Sequence, residues 1–302
     1  MSPRKPFPSV LILLGAIVLG MLLPQLHILS GLVRWLVMVM LFLVFLQTRI
    51  SRQSFRLSHV WILLANLAMG FAGWGFGWLV GGRDVALAAF FAGITPTATA
   101  APVVVSFLRG QVDYVVTAFF LTNLTIAALL PGLLPLVLGR VSLADFLHVL
   151  GSMALVMFIP AAAASLLRQM CPAAGEWPKR LRGLSLSLWG GALLIITANA
   201  SHFLRSQAAL PRELLLKIAV VSAIVCAANF ALGKLIGGAT HGRESSQALG
   251  QKNTTFSIYL AMTYGSPLIA LGPTCYVLWH NIWNSWQLHQ ANRSEAQAKP
   301  KS

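Results

Sequence analysis

The sequence predicts an all-α membrane protein of ten transmembrane helices, arranged as two inverted five-helix repeats. Three observations carry that expectation. The chain of 302 residues is 57% hydrophobic and only 10% charged, with a mean hydropathy of +0.75, whereas soluble domains are about 25% charged. Its apolar residues fall into roughly ten runs, each close to the ~20 residues that cross a bilayer. Two of those runs, at matching places, are interrupted by proline, glycine and polar residues.

The spans, in order, are residues 8–26, 31–48, 60–80, 86–108, 112–138, 146–168, 182–203, 213–236, 246–264 and 267–290. The first has the basic start and apolar stretch of a signal peptide, but no A-x-A cleavage site follows, so it is kept as a span. Segment 49–59 alternates basic and apolar residues and reads as a stretch lying at the membrane surface. Glycines recur in FAGWGFGWLVGG (71–82) and point to close helix packing, with a hinge as the alternative. Trp35, Trp177, Trp279, Trp283 and Trp286 lie mostly near span ends, where an interfacial belt belongs. Residues 291–302 are polar and read as a disordered cytoplasmic tail.

An even number of spans puts both termini on one side. Fifteen of the 22 basic residues fall on that side, six on the other, and Lys252 within a span. The positive-inside rule then makes both termini cytoplasmic, in a multi-pass protein of the plasma (inner) membrane. The formal charge of +15 follows from this topology, so the expected partner is the lipid bilayer and not nucleic acid. Cys171, Cys226 and Cys275 form no CxxC and suggest neither a disulfide framework nor a metal site.

The fourth span carries Pro96 and Pro102 around a Thr/Ala tract, and the ninth carries GQKNTTF from Gly250. Proline removes an N–H and clashes with the preceding turn. In lipid the freed carbonyls need partners, so a broken helix survives only where protein or a cavity covers it. The breaks divide the chain into repeats 7–139 and 145–290. Because five is odd, the halves run in opposite directions, which is the sequence pointer to a transporter site at the midplane.

Lys252 lies eight residues beyond Glu244, about 12 Å at helical rise. An ammonium at mid-bilayer costs ~2.5–3.5 kcal/mol on insertion scales. We expect it to act as a tethered cation that holds the two breaks together, its N–H groups donating to half-helix carbonyls. Burial disfavours its charged form, so coupling to protons is one possible use, and permanent charge with uniport or exchange is another. A lysine that snorkels to the surface is the alternative.

Thr95, Thr97 and Thr99 alternate along the first break, where they either bind a ligand or cap half-helices. Gln251, Lys252, Asn253 and Thr254 form the second break and are assigned to the site. Asn123, Asn199, Asn229 and Asn281 lie within spans, where hydrogen bonding between helices is their ordinary role. Of these, Asn123, Asn229 and Asn281, with His280, are placed at the site or bracing it. Asn199 is read as purely structural.

The stretches PTATAAPVVVSFLRGQVDYVV (96–116), ANFALGKLIGG (228–238), GQKNTTF (250–256) and CYVLWHNIWNS (275–285) resemble the bile acid:sodium symporter family. The resemblance covers nearly the whole chain. It implies a panel domain of spans 1, 2, 6 and 7, and a core domain of spans 3–5 and 8–10 in which broken helices 4 and 9 cross. It also implies transport of organic anions by alternating access. Sodium-coupled members carry a glutamate where this chain has Ala248, a glutamine at Lys252, and a Ser–Asn pair at Ala101–Pro102. They also carry hydroxyls near Val115 and Phe119. The sodium ligands are thus mostly absent, and the resemblance implies a carrier not coupled to sodium in the usual way.

The expected function is therefore secondary active or facilitative transport of a small organic anion, with no cofactor and no metal. A sodium-coupled symporter is the nearest alternative. An enzyme has little to work with, since no HExxH, G-x-S-x-G or pair of intramembrane acids is present. A channel lacks a filter-like glycine signature.

Overall fold

The computed structural model describes residues 8–47, 54–98, 100–138, 143–206 and 211–298. Thr99, the segment 48–53 and the last four residues lie outside the described residues. The helices are α1 (Pro8–Leu22), α2 (Ser30–Gln47), α3 (Leu57–Ile94), α4 (Ala101–Phe107), α5 (Val112–Leu138) and α6 (Leu143–Met170). They continue with α7 (Trp177–Arg180), α8 (Arg182–Ser206), α9 (Arg212–Gly250), α10 (Thr254–Leu260) and α11 (Pro267–Ala298). A π-helical turn, Ala261–Gly265, follows α10. No strand forms among the described residues.

Five stretches among the described residues are long and apolar enough to cross a membrane: Pro24–Leu43, Leu57–Ile94, Val112–Leu130, Gly183–Phe203 and Arg212–Gly250. The chain thus carries membrane-type helices, in smaller number by this measure than the ten spans expected. For three of the missing spans the cause is local. α1 has 15 residues, and α4 and α10 have seven each, below the length an unbroken crossing needs.

Two of the long stretches are hairpins. In α3, Gly81 and Gly82 leave helical conformation, and Gly82 has φ +74°. In α9, Gly238 at φ +57° and His241 do the same. Positive φ is open to glycine at no steric cost, so the chain reverses there. After the first reversal, Gly77, Gly73 and Gly70 sit against Ala86, Ala89 and Ile94, leaving no room for a Cβ. After the second, Gly237 and Gly233 sit against Gly242 and Ser246 in the same way. The glycines of the 71–82 stretch therefore serve both close packing and reversal.

The helices sort by what they touch. α3 packs on α9, and α11 packs on both; α5 meets α3, α4 and α9. Separately, α1 packs on α8, and α2 on α6 and α8. Three apolar clusters fill the first group, around Phe90 and Phe91, Val221 and Phe230, and Tyr114 and Leu249. The fourth joins the groups, with Leu41, Phe45, Trp189 and Leu193 on one side and Val103, Val104, Leu108 and Phe119 on the other.

Two local expectations are corrected. The tail expected to be disordered from residue 291 is helical to Ala298. Extending an existing helix avoids the nucleation cost, and SEAQA is rich in good helix formers. Asn199 is exposed on α8 instead of bonding between helices, because the buried side of α8 is taken by Ala192, Leu193, Ile195 and Ala198.

Gly272 of α11 lies against the Ala88 backbone of α3, where a Cβ would collide. Gly272→Ala is expected to cost about 1–3 kcal/mol and to lower the Tm in detergent. Gly15→Ala, with nothing within 4 Å, is expected to leave it unchanged. Equal midpoints for the two variants would contradict this packing.

Candidate functional site at the paired helix breaks

The chain leaves helix after Ile94 and after Gly250, and the two open segments meet. Ala98 N donates to Gln251 O at 2.7 Å, and Asn253 N donates to Pro96 O at 3.0 Å. These bonds make an isolated antiparallel bridge between Thr97 and Lys252. Backbone groups that lost helical partners thus find them in the opposite break.

Side chains take up the other stranded groups. At the end of α3, the Thr95 hydroxyl bonds Phe91 O and Ser257, and Asn66 Nδ2 donates to Ile94 O at 2.7 Å. At the end of α9, Thr97 Oγ1 donates to Ala248 O at 2.6 Å and Tyr276 OH to Gly250 O at 2.7 Å. Asn123 Nδ2 donates to Thr97 O at 2.9 Å, and the Thr122 hydroxyl donates to Thr97 Oγ1 at 2.9 Å. Asn253 caps α10 by accepting from Phe256 N at 3.4 Å. Threonine and asparagine suit these places because each reaches a backbone group one turn or one helix away.

Lys252 is 1% exposed, so the snorkelling alternative does not describe it. Its Nζ donates to Asn66 Oδ1 of α3. This corrects the expectation that half-helix carbonyls accept its N–H groups. Ile94 O, Ala248 O and Gly250 O are already taken by Asn66, Thr97 and Tyr276. Asn66 relays between them, amide to carbonyl on one side and oxygen to ammonium on the other. No carboxylate among the described residues pairs with Lys252; Glu244 is occupied by Gln111 N at 2.8 Å.

A cavity of about 70 Å³ adjoins the breaks. One wall is apolar, from Val33 and Met40 of α2 and Trp189, Ala192, Leu193 and Ile196 of α8. The other is polar, from Gln251, Lys252, Asn253 and Thr254 of the second break with His280 and Asn281 of α11. Asn66 is not part of its lining, so the lysine chain passes along the wall and its charge is held behind it. Gln251 Oε1 and His280 Nδ1 are buried without a protein partner.

The structure therefore gathers Gln251, Lys252, Asn253, Thr254, His280 and Asn281 around one cavity. Thr95, Thr97 and Asn123 lie outside its lining and hold the breaks in shape. Asn229 stands one layer back, its Nδ2 donating to Tyr276 OH at 3.3 Å. Asn66, Thr122, Ser257 and Tyr276 were not singled out from the sequence. Asn66, an amide inside the third predicted span, carried the clearest signal. Among the described residues no three His, Cys, Asp or Glu side chains come together to hold a metal. The arrangement offers a buried lysine amine bonded to Asn66, backbone held open, and a half-polar chamber. No protein-family model and no curated protein matches this sequence.

The Asn66–Lys252 bond is testable by a double-mutant cycle. Asn66→Ala strands the ammonium in Lys252 protein and does less harm beside Lys252→Met. Coupling of ~0.5–3 kcal/mol is expected for a bonded pair, read from chemical denaturation in detergent. Additive losses would mean that the two side chains do not interact.

Proposed function

We propose that the chain is a carrier that moves a small organic anion across the membrane by alternating access, without a bound sodium ion. The observation that carries this reading is the enclosed Lys252 ammonium at the paired breaks, beside a cavity with one polar and one apolar wall. An intramembrane charge is costly and marks function by default. An organic anion has a carboxylate for the polar wall and a carbon body for the apolar one.

In this reading α3 and α9 each supply one full span and half of a broken one, giving ten spans in two inverted repeats. Their like construction supports it: hairpins of 38 and 39 residues, each turned at a positive-φ glycine and each ending at a break. The group α1, α2, α6 and α8 corresponds to the panel of the bile acid:sodium symporter family, and α3–α5 with α9–α11 to its core. The cavity lies where the two would slide past each other. The distribution of basic residues supports cytoplasmic termini in a plasma-membrane protein.

Lys252 takes the part that a metal ion plays in sodium-coupled relatives. It supplies positive charge at the junction, fixed to the chain, and Ala248 replaces the carboxylate that a mobile cation would need. The charge then requires no ion to arrive before the breaks are held. A lysine in that place that took up and released a proton would also link the cycle to pH gradients, and one that stayed charged would support uniport or exchange.

Uptake of a panel of organic acids into proteoliposomes, with sodium and pH gradients imposed separately, tests the proposal. Uptake without sodium is expected, and Lys252→Met should reduce it at least ~10-fold. Strict sodium dependence would overturn the coupling scheme. Unchanged uptake and an unchanged pH profile in Lys252→Met would overturn the role of the lysine.

A further inference from the structure

Beyond the cavity, a row of buried amides runs along the contact between the last turns of α9 and the middle of α11. Gln247 is 0% exposed and Asn284 1%. Gln247 Nε2 donates to Asn284 Oδ1 at 3.0 Å and to Gln287 Oε1 at 2.5 Å. Gln247 Oε1 and Asn284 Nδ2 have no partner in the protein, and neither do Gln251 Oε1 and His280 Nδ1 at the cavity. Turning both amides over exchanges which of their atoms are unpaired and leaves the number the same.

His280 and Asn284 are four residues apart on α11, a step of about 6 Å along the helix, and Gln251 follows Gln247 by four residues, just past the point where the chain leaves α9. A water that bonds a polar atom on either side spans about 5.6 Å. Buried waters sit where unpaired buried polar atoms offer them two to four bonds. Here acceptors at Gln251 and Gln247, a donor at Asn284, and His280 provide them. The row ends at half-buried Gln287, on the side of the membrane toward which α11 ends and where Arg243 and Glu244 lie.

We propose that Gln251, His280, Gln247 and Asn284 bind a file of water molecules that joins the Lys252 cavity to that one face of the membrane. The file is narrow and admits water and ions of similar size. Its use, to bring water and protons to the lysine from one side only, rests on the carrier reading; its existence does not.

The test is thiol accessibility in the full chain with Cys171, Cys226 and Cys275 replaced by alanine. Single variants Gln247→Cys, Asn284→Cys, Gln287→Cys and Ser285→Cys are reconstituted in vesicles of known orientation. Silver ion is added to one side, and protected thiols are counted after denaturation and alkylation. Ser285 is also buried, at 4% exposure, but its hydroxyl is satisfied by Asn281 O at 2.9 Å. Gln247→Cys and Asn284→Cys should react at about the rate of Gln287→Cys from the face where α11 ends, and Ser285→Cys at least ~10-fold more slowly. Leucine at both 247 and 284 should abolish the reaction of Gln251→Cys from that face. Silence at 247 and 284 while 287 reacts would overturn the file. So would equal reaction at 285, which would signal general opening, and so would unaffected reaction at 251 in the leucine variant. None of these readings requires uptake. Reaction without organic-acid uptake would sink the carrier and leave the file, and uptake without reaction would do the reverse.

Discussion

A backbone that leaves helical conformation inside a membrane has to find hydrogen bonds within the protein, and the two breaks find them in each other. The pair Ala98 N–Gln251 O and Asn253 N–Pro96 O joins segments more than 150 residues apart. Neither break has an equivalent partner alone, because lipid offers no donor or acceptor. The polar side chains nearby follow from the same need. Thr97, Thr95, Asn66, Tyr276 and Asn123 each meet a carbonyl that the helix has released.

The lysine adds a buried amine to this frame. An amine with so little exposure depends on neighbours that can accept hydrogen bonds, and Asn66 meets part of that need while holding Ile94 O. One amide thus ties the charge to the end of the α3 hairpin. The hairpins bring the breaks together. Glycine at 70, 73 and 77, and at 233 and 237, lets each returning limb lie close enough for backbone-to-side-chain contact.

Much of this was written in local sequence. Pro96, Pro102 and Gly250 mark the interruptions because their effect on a helix is local, and Lys252 is conspicuous because charge is rare in such a chain. The acceptor for its ammonium was not legible, since Asn66 lies 186 residues away and its approach depends on how α3 folds back. The carbonyls nearest in sequence looked available and were not, because Thr97 and Tyr276 reach them from other elements. His280 and Asn281 could be placed near the site from their setting. The unpaired atoms of Gln247 and Asn284 could not, because only packing shows which polar groups are left without partners. The tail shows the opposite limit: its polarity suggested disorder, while the helix leading into it carries it on to Ala298.

The cluster between the two helix groups has a mechanical consequence. The breaks are interlocked in register, since a shift of one residue would forfeit both bridging bonds, so the half-helices travel as one rigid piece. Across the other boundary, Leu41, Phe45, Trp189 and Leu193 lie against Val103, Val104, Leu108 and Phe119. Apolar contact has no preferred direction and can be exchanged for similar contact a few ångströms along. In the proposed carrier, shear would concentrate on that greasy plane, and the chamber beside it is the volume that such sliding would widen on one flank and pinch on the other.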